Sequence, residues 1–420
     1  MEENLMNNLR VVCTMLIVSV LCLDAFAQYL PTASPKSKGF SQERLDRITN
    51  VMNQHVADGD FTGATGLIVR DDKVVYFETY GEQDGEAGIP MQEDTIFRIY
   101  SMSKAITGVA VMMLHEEGRF FLNDPVSDYL PEYKNMKVAV EKDGEVELVD
   151  AQNPITIRDL LMHTAGVNYG SSRKTGKYYR DAGVRGVDLA EFSKRLGTVP
   201  LEFDPGTEWE YGFSIDVLGR LVEVVSGQTF DVFLEERIFE PLGMTDTAFH
   251  VQEQKHDRLV ILDSPKRGGG VQVATSRAQD SYKEPPVWFS GGGGLVSTTM
   301  DYARLCQMLL NNGELDGQQI LGRKSVELMR TNHLPDIPKN GSLIAGDGVG
   351  FGLTFAVTLD TGLTGAIGSN GSYSWGGAAG TRFWLDPEED LFGVFMINIL
   401  PYNLPYGDEF KLLTYQALVD

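Results

Sequence analysis

The sequence predicts an α/β chain of the α+β kind. One antiparallel sheet is built from both chain ends and flanked by helices, and a mostly helical lobe is inserted between them. Three observations predict this. Strand patterning occupies the stretch just after residue 60 and returns only after about residue 350. From Ser101 to about residue 280, apolar residues recur mostly at helical spacing. No period of 20–50 residues repeats, which excludes a solenoid.

The elements follow in order. The apolar run "VVCTMLIVSVLCLDAFA" ends in Ala25-Phe26-Ala27, a small-x-small pattern, so residues 1–27 are expected to be a signal peptide cleaved before Gln28. Glu2 and Glu3 depart from the usual basic start. Residues 28–420 are then one domain, with a sheet lobe over about 40–100 and 285–420 and a helical lobe over about 101–284. In "SQERLDRITNVMNQHVADGD", Leu45, Ile48, Met52 and Val56 keep helical spacing behind a Ser41 cap. "ATGLIVRDDKVVYFETYG" reads as two strands joined at Asp71-Asp72. "FRIYSMSKAITGVAVMMLHEEGRF" reads as a helix beginning near Ser101. "ITIRDLLMHTAG" reads as a helix that breaks at Gly166, and "SIDVLGRLVEVVSGQTF" and "TFDVFLEERIFEPLGM" as two more. Late in the chain, "GFGLTFAVTLD" reads as one strand, "GTRFWLDPEEDLFGVFMINI" as a hairpin and "LLTYQALVD" as a closing helix.

Composition excludes several classes. The chain has 420 residues, 42% of them hydrophobic and 23% charged, which is the balance of a folded globular protein. Its net charge of −23 argues against a nucleic-acid partner. Cys13 and Cys22 fall in the expected signal, so Cys306 alone remains; it is expected to be a buried structural thiol. The histidines show no H-E-x-x-H pattern and no cysteine partners. No metal or organic cofactor is implied. The acid pairs Glu116-Glu117 and Glu388-Glu389 read as solvated.

Ser101 and Lys104 stand three apart, so on a helix they share a face. A serine hydroxyl needs a base within hydrogen-bond reach. A buried lysine loses hydration, which disfavours its ammonium and fits it to take or relay a proton. A helix start also presents free N–H groups where an oxyanion forms. Alone, S-x-x-K is a weak signal, because a capping serine and a surface lysine give the same pattern. Two further stretches agree with it. In "PGTEWEYGFSIDVLGRL", Tyr211 precedes a helix and can serve as a general base beside an ammonium. In "GSYSWGGAAGTRFWLDP", Gly376 and Gly377 allow a ligand close to the backbone.

In order and spacing, Ser101-x-x-Lys104, Tyr211 and the glycine-rich Trp375-Gly376-Gly377 resemble the serine β-lactamase and penicillin-binding-protein superfamily. Within it the likeness is to class C β-lactamases, and more closely to family VIII carboxylesterases. "DPVSDYLPEY", "ITIRDLLMHTAGV" and "SGGGGLVSTTMDYARLCQMLLNNGELDG" share that look, and the resemblance covers most of residues 40–400. It implies a β-lactamase-like fold and a Ser101 acyl-enzyme. Lys104 and Tyr211 would share the proton transfers, and the N–H groups of Ser101 and Ala378 would form the oxyanion hole. Two departures tilt it toward esters. Phe213 stands where β-lactamases carry an asparagine, and Trp375-Gly376-Gly377 where they carry Lys-Thr-Gly. Phe213, Trp375, Gly376 and Gly377 are therefore expected to contact an apolar part of the substrate.

A literal Lys174-Thr175-Gly176 lies in the wrong order for the third motif and reads as a solvated loop that could line the cleft. His163 reads as a hydrogen-bonded structural residue. The expected function is a secreted or periplasmic serine hydrolase of carboxylic esters, with a small-molecule substrate, no nucleic acid and no stable membrane insertion. The alternatives are a D-amino-acid peptidase, amidase or weak β-lactamase with the same residues, acyl transfer in place of hydrolysis, or a non-catalytic binding protein on the same scaffold.

Overall fold

A computed structural model describes residues 29–334, 337–339, 344 and 346–420. The expected signal peptide and its two cysteines lie outside the described residues.

Among the described residues the largest sheet has eight antiparallel strands. They are β1 (Gly63–Arg70), β2 (Lys73–Asp84), β3 (Ile89–Pro90), β4 (Val349–Phe351), β5 (Ala356–Thr358), β6 (Tyr373–Gly376), β7 (Arg382–Asp386) and β8 (Leu391–Ile397). Their spatial order is β4-β5-β6-β7-β8-β1-β2-β3. The sheet joins the two chain ends at β1 and β8, whose register runs from Ala64 opposite Ile397 to Arg70 opposite Leu391. Asp71 and Asp72 make the β1–β2 turn with φ of 47° and 59°, a left-handed pair that matches the twist of a tight hairpin.

Six helices position the rest: α1 (Gln42–Asp58), α2 (Ser103–Glu116), α3 (Ile157–Met162), α4 (Ser214–Ser226), α5 (Thr299–Leu310) and α6 (Tyr406–Gln416). Ser41 caps α1 by accepting from the Arg44 N–H. Thr156 and Asp159 form a reciprocal capping box on α3. One face of the sheet packs against α1 and α6 through Leu45, Ile48, Met52 and Phe410. A larger core includes α2, α4 and α5 and apolar residues of β1 and β8. Cys306 lies in that core, as expected, and burial pushes its thiol up.

The structure corrects several local readings. Ser101 sits in a 3₁₀ turn, Tyr100–Met102, and α2 begins only at Ser103. The helix expected to break at Gly166 ends at Met162, with His163 in the left-handed conformation. "GFGLTFAVTLD" is two short strands, because the chain turns at Thr354 (φ 77°) to bond Leu353 N–H to Met329 O and Thr354 N–H to Leu161 O. The helical middle contains a β-hairpin, Lys137–Lys142 with Glu145–Asp150, that the helical reading missed. The acid pairs are partly engaged: Glu116 accepts from the Gly322 N–H, Glu117 pairs with Arg237 and Glu389 with Arg70.

Candidate active site

The 3₁₀ turn at Ser101 is held from three sides. Tyr100 carries φ of 42°, a strained value for a side chain of its size and one often found beside reacting groups. Arg98, buried, donates to the carbonyls of Val260 and Gln279 and to Ser281 Oγ, tying the preceding strand to a distant loop. The end of β6 presses from the third side. A Cβ at Gly377 would sit 2.4 Å from the Ile99 carbonyl oxygen, so only glycine fits there.

The turn then runs into α2, whose first residues are buried, and Lys104 is 1% exposed. Its Nζ donates to Ser101 Oγ at 3.3 Å, Tyr169 Oη at 3.1 Å and the Gly292 carbonyl at 2.5 Å. It also lies 4.5 Å from the Tyr211 ring centroid. Burial alone would lower the lysine, but Tyr169, Tyr211 and Asp216 outweigh it and hold its pKa above the usual range. The expectation of a disfavoured ammonium is thus corrected: Lys104 is a charged donor with three acceptors.

Tyr211 comes just before α4 and is half-buried. Its Oη accepts from the indole Nε1–H of Trp375 at 3.0 Å. Trp375 was expected to supply only an apolar surface; it also supplies this hydrogen bond. Trp375 and Gly376 end β6. They lie past its last pairing with β5, Ser374 opposite Ala356, so β7 alone pairs them.

Two chambers meet at Ser101, Tyr211 and Ala378, which line both. The first, about 740 Å³, is walled by Tyr169, Phe213, Phe249, Tyr282 and Trp288. Phe213 is one of these walls, with its ring 4.8 Å from Tyr169 and 5.9 Å from Trp288. The second, about 720 Å³, runs along Trp375, Gly376 and Gly377 to α6. The structure therefore gathers Ser101, Lys104, Tyr211, Phe213, Trp375, Gly376, Gly377 and Ala378 around one cleft.

Two features singled out in the sequence are placed otherwise. Lys174 donates to the Glu202 carbonyl and pairs with its carboxylate, and Thr175 donates to the same carboxylate. Thr175 and Gly176 are buried, and none of the three lines either chamber, so the solvated-loop reading fails. His163 is buried with neither ring nitrogen hydrogen-bonded among the described residues. It packs 4.6 Å from the Tyr211 ring, and burial and Lys104 hold its pKa far down.

Two groups were missed. Tyr169 holds Lys104. Asp216, buried on α4, accepts from Ser290 Oγ and from the Gly292 N–H, fixing the glycine loop whose carbonyl receives Lys104. Burial raises the Asp216 carboxyl, and Lys104 offsets it. An acid on an otherwise apolar helix face was the signal for Asp216; Tyr169 carried none.

The Beta-lactamase family profile matches residues 48–416. The chain belongs to this family. An uncharacterised protein of Mycobacterium tuberculosis is 35% identical to this β-lactamase-family chain over 356 residues, 82% of this chain and 87% of that protein. Esterase EstB of Burkholderia gladioli is 30% identical over 392 residues, 88% of this chain and 93% of the esterase. The solved structure of EstCE1, described as a hydrolase with promiscuous acyltransferase activity, aligns with a TM-score of 0.74 at 26% identity. It covers 89% of this chain and 99% of its own. This β-lactamase-family chain is accordingly an enzyme, a serine hydrolase of the carboxylesterase type, with a small-molecule substrate. No helix among its described residues is long and apolar enough to cross a membrane.

Proposed function

We propose that the protein hydrolyses carboxylic esters through an acyl-enzyme on Ser101. The observation that carries this is the approach of Lys104 Nζ to Ser101 Oγ, 3.3 Å apart beneath an aromatic-walled chamber. Ser101 Oγ attacks the ester carbonyl carbon. Tyr211 takes its proton, with the Lys104 ammonium beside it, and returns one to the alcohol oxygen as the C–O bond breaks. The N–H groups of Ser101 and Ala378 hold the oxyanion. Water then adds to the acyl carbon, its proton passing through Tyr211 to Ser101 Oγ, and the carboxylic acid leaves as Ser101 is restored.

Phe213 and Trp375 support an ester in preference to a carboxylated amide. Where β-lactamases place an amide and a cation, this site offers a ring and an indole, and a site without those polar groups has little to reward a β-lactam. The apolar first chamber suits an acyl chain.

Purified residues 28–420 are expected to hydrolyse p-nitrophenyl butyrate, and Ser101→Ala to abolish turnover. Equal turnover in both proteins would remove Ser101 as nucleophile. Absence of turnover in the parent would remove the simple esterase reading. We further propose that residues 1–27 direct export and are removed. Mass spectrometry of protein recovered outside the cytoplasm is expected to give Gln28 as the first residue, and an intact Met1 would refute it.

A further inference from the structure

We propose that the chamber beyond Trp375–Ala378 is a leaving-group subsite for an alcohol bearing a carboxylate, held by the Lys411 ammonium. This deepens the ester reading and rests on it. The chamber is lined by Ser101 and Tyr211 and also by Arg382, Asp408 and Lys411. Arg382 and Asp408 pair with each other, so their charges largely cancel. Lys411, half-buried, lies with its ammonium 5.9 Å from the Tyr415 ring centroid and makes no hydrogen bond or ion pair among the described residues.

The nearby carboxylate of Asp386 is already engaged. Asp386 is buried and accepts from Tyr415 Oη at 2.6 Å, from the Ser369 N–H at 3.1 Å and from the Glu388 N–H at 3.2 Å. Burial holds the Lys411 pKa below the usual lysine range despite Asp386 and Asp408, the mark of a cation without a full counter-ion. An anion in the chamber would supply what the protein does not.

The two chambers divide an ester between them. The first offers aromatic walls around Phe213 and Trp288, whereas the second offers polar groups and a spare cation. In a chain of net charge −23, anions are repelled at long range, so a carboxylate needs a local site of this kind to bind at all. A single ammonium on a flexible stem matches one carboxylate as a point charge.

The test is equilibrium binding of 3-hydroxybenzoate and of phenol to the wild-type protein by calorimetry. Wild type is expected to bind 3-hydroxybenzoate roughly ten-fold tighter than phenol, with the advantage shrinking as salt rises. Lys411→Gln should lose the advantage and Lys411→Arg keep it. Equal binding of the two by wild type, a salt-independent advantage, or an unchanged advantage in a folded Lys411→Gln protein would overturn the proposal. Turnover of 3-carboxyphenyl and phenyl butyrate separates the two readings. If wild type cleaves neither ester yet still holds 3-hydroxybenzoate through Lys411, the ester reading falls and the subsite stands.

Discussion

Lys104 is asked to be charged inside the protein, and its surroundings show the cost being met. Three acceptors take its protons and Asp216 stands behind the loop that supplies one of them. Replacing it with methionine leaves Asp216 buried without the cation that offsets it, and removing one partner of buried opposite charges destabilises a fold. It also removes the donor beside Ser101, and general acid–base groups are worth about 10²–10⁴-fold. Lys104→Met is therefore expected to lower kcat by about 10²–10⁴-fold and to lower the melting temperature as well. Rates and a thermal melt on one preparation check it; retained activity would make Lys104 structural. At this scale Ser101, Lys104 and Tyr211 were legible because local spacing and motif order carry them. Tyr169 and Asp216 were not, because each acts on Lys104 across a large sequence separation. The charge state of Lys104 was misread for the same reason: burial can be inferred from a helix pattern, but the acceptors that offset it cannot.

The elements succeed or fail according to how local their causes are. The Asp71-Asp72 hairpin and the capped helix α1 follow from turn and capping chemistry within a few residues. The hairpin at residues 137–150 had a local signal too. Asp143-Gly144 joins its strands with φ of 53° and 83°, but it lay inside a stretch otherwise read as helical. The extent of the second motif depends on a contact no pattern reveals. Gly212 follows Tyr211, and a Cβ there would meet Val167 O at 2.3 Å and the Asn168 Cα at 2.4 Å. Both are backbone atoms and cannot rotate away. Gly212→Ala is expected to cost about 1–3 kcal/mol, typical of overpacking. It should also reduce kcat, because Tyr211 must shift with the chain. Denaturant unfolding and initial rates check both, and wild-type values in the two measurements would show that the segments are not apposed as described.

The whole molecule depends on the two chain ends closing one sheet, and its first and last helices report on that closure. His55 on α1 makes Nδ1 and Nε2 contacts of 2.7 Å to Asp60 and 2.8 Å to Glu409, the latter on α6. Ser41 N–H bonds Ala417 O, and Arg70 pairs with both Glu389 and Asp420. Burial alone would lower the His55 pKa, but the two carboxylates outweigh it and raise it above 6.5. Below 6.5 the ring is charged in folded and unfolded chains alike, and the stabilisation from its pairing is fully present. As pH rises through the higher folded value, the ring discharges and that stabilisation is lost. His55→Gln should therefore melt below wild type at about pH 6, and the gap should narrow toward about pH 8. Parallel melts across that range measure it. A gap that stays constant would mean that His55 joins the helices by packing against Phe61 and Tyr406 rather than by charge. A gap that widens would reverse the sign and place a neutral imidazole between the two acids, leaving other contacts to hold the chain ends together.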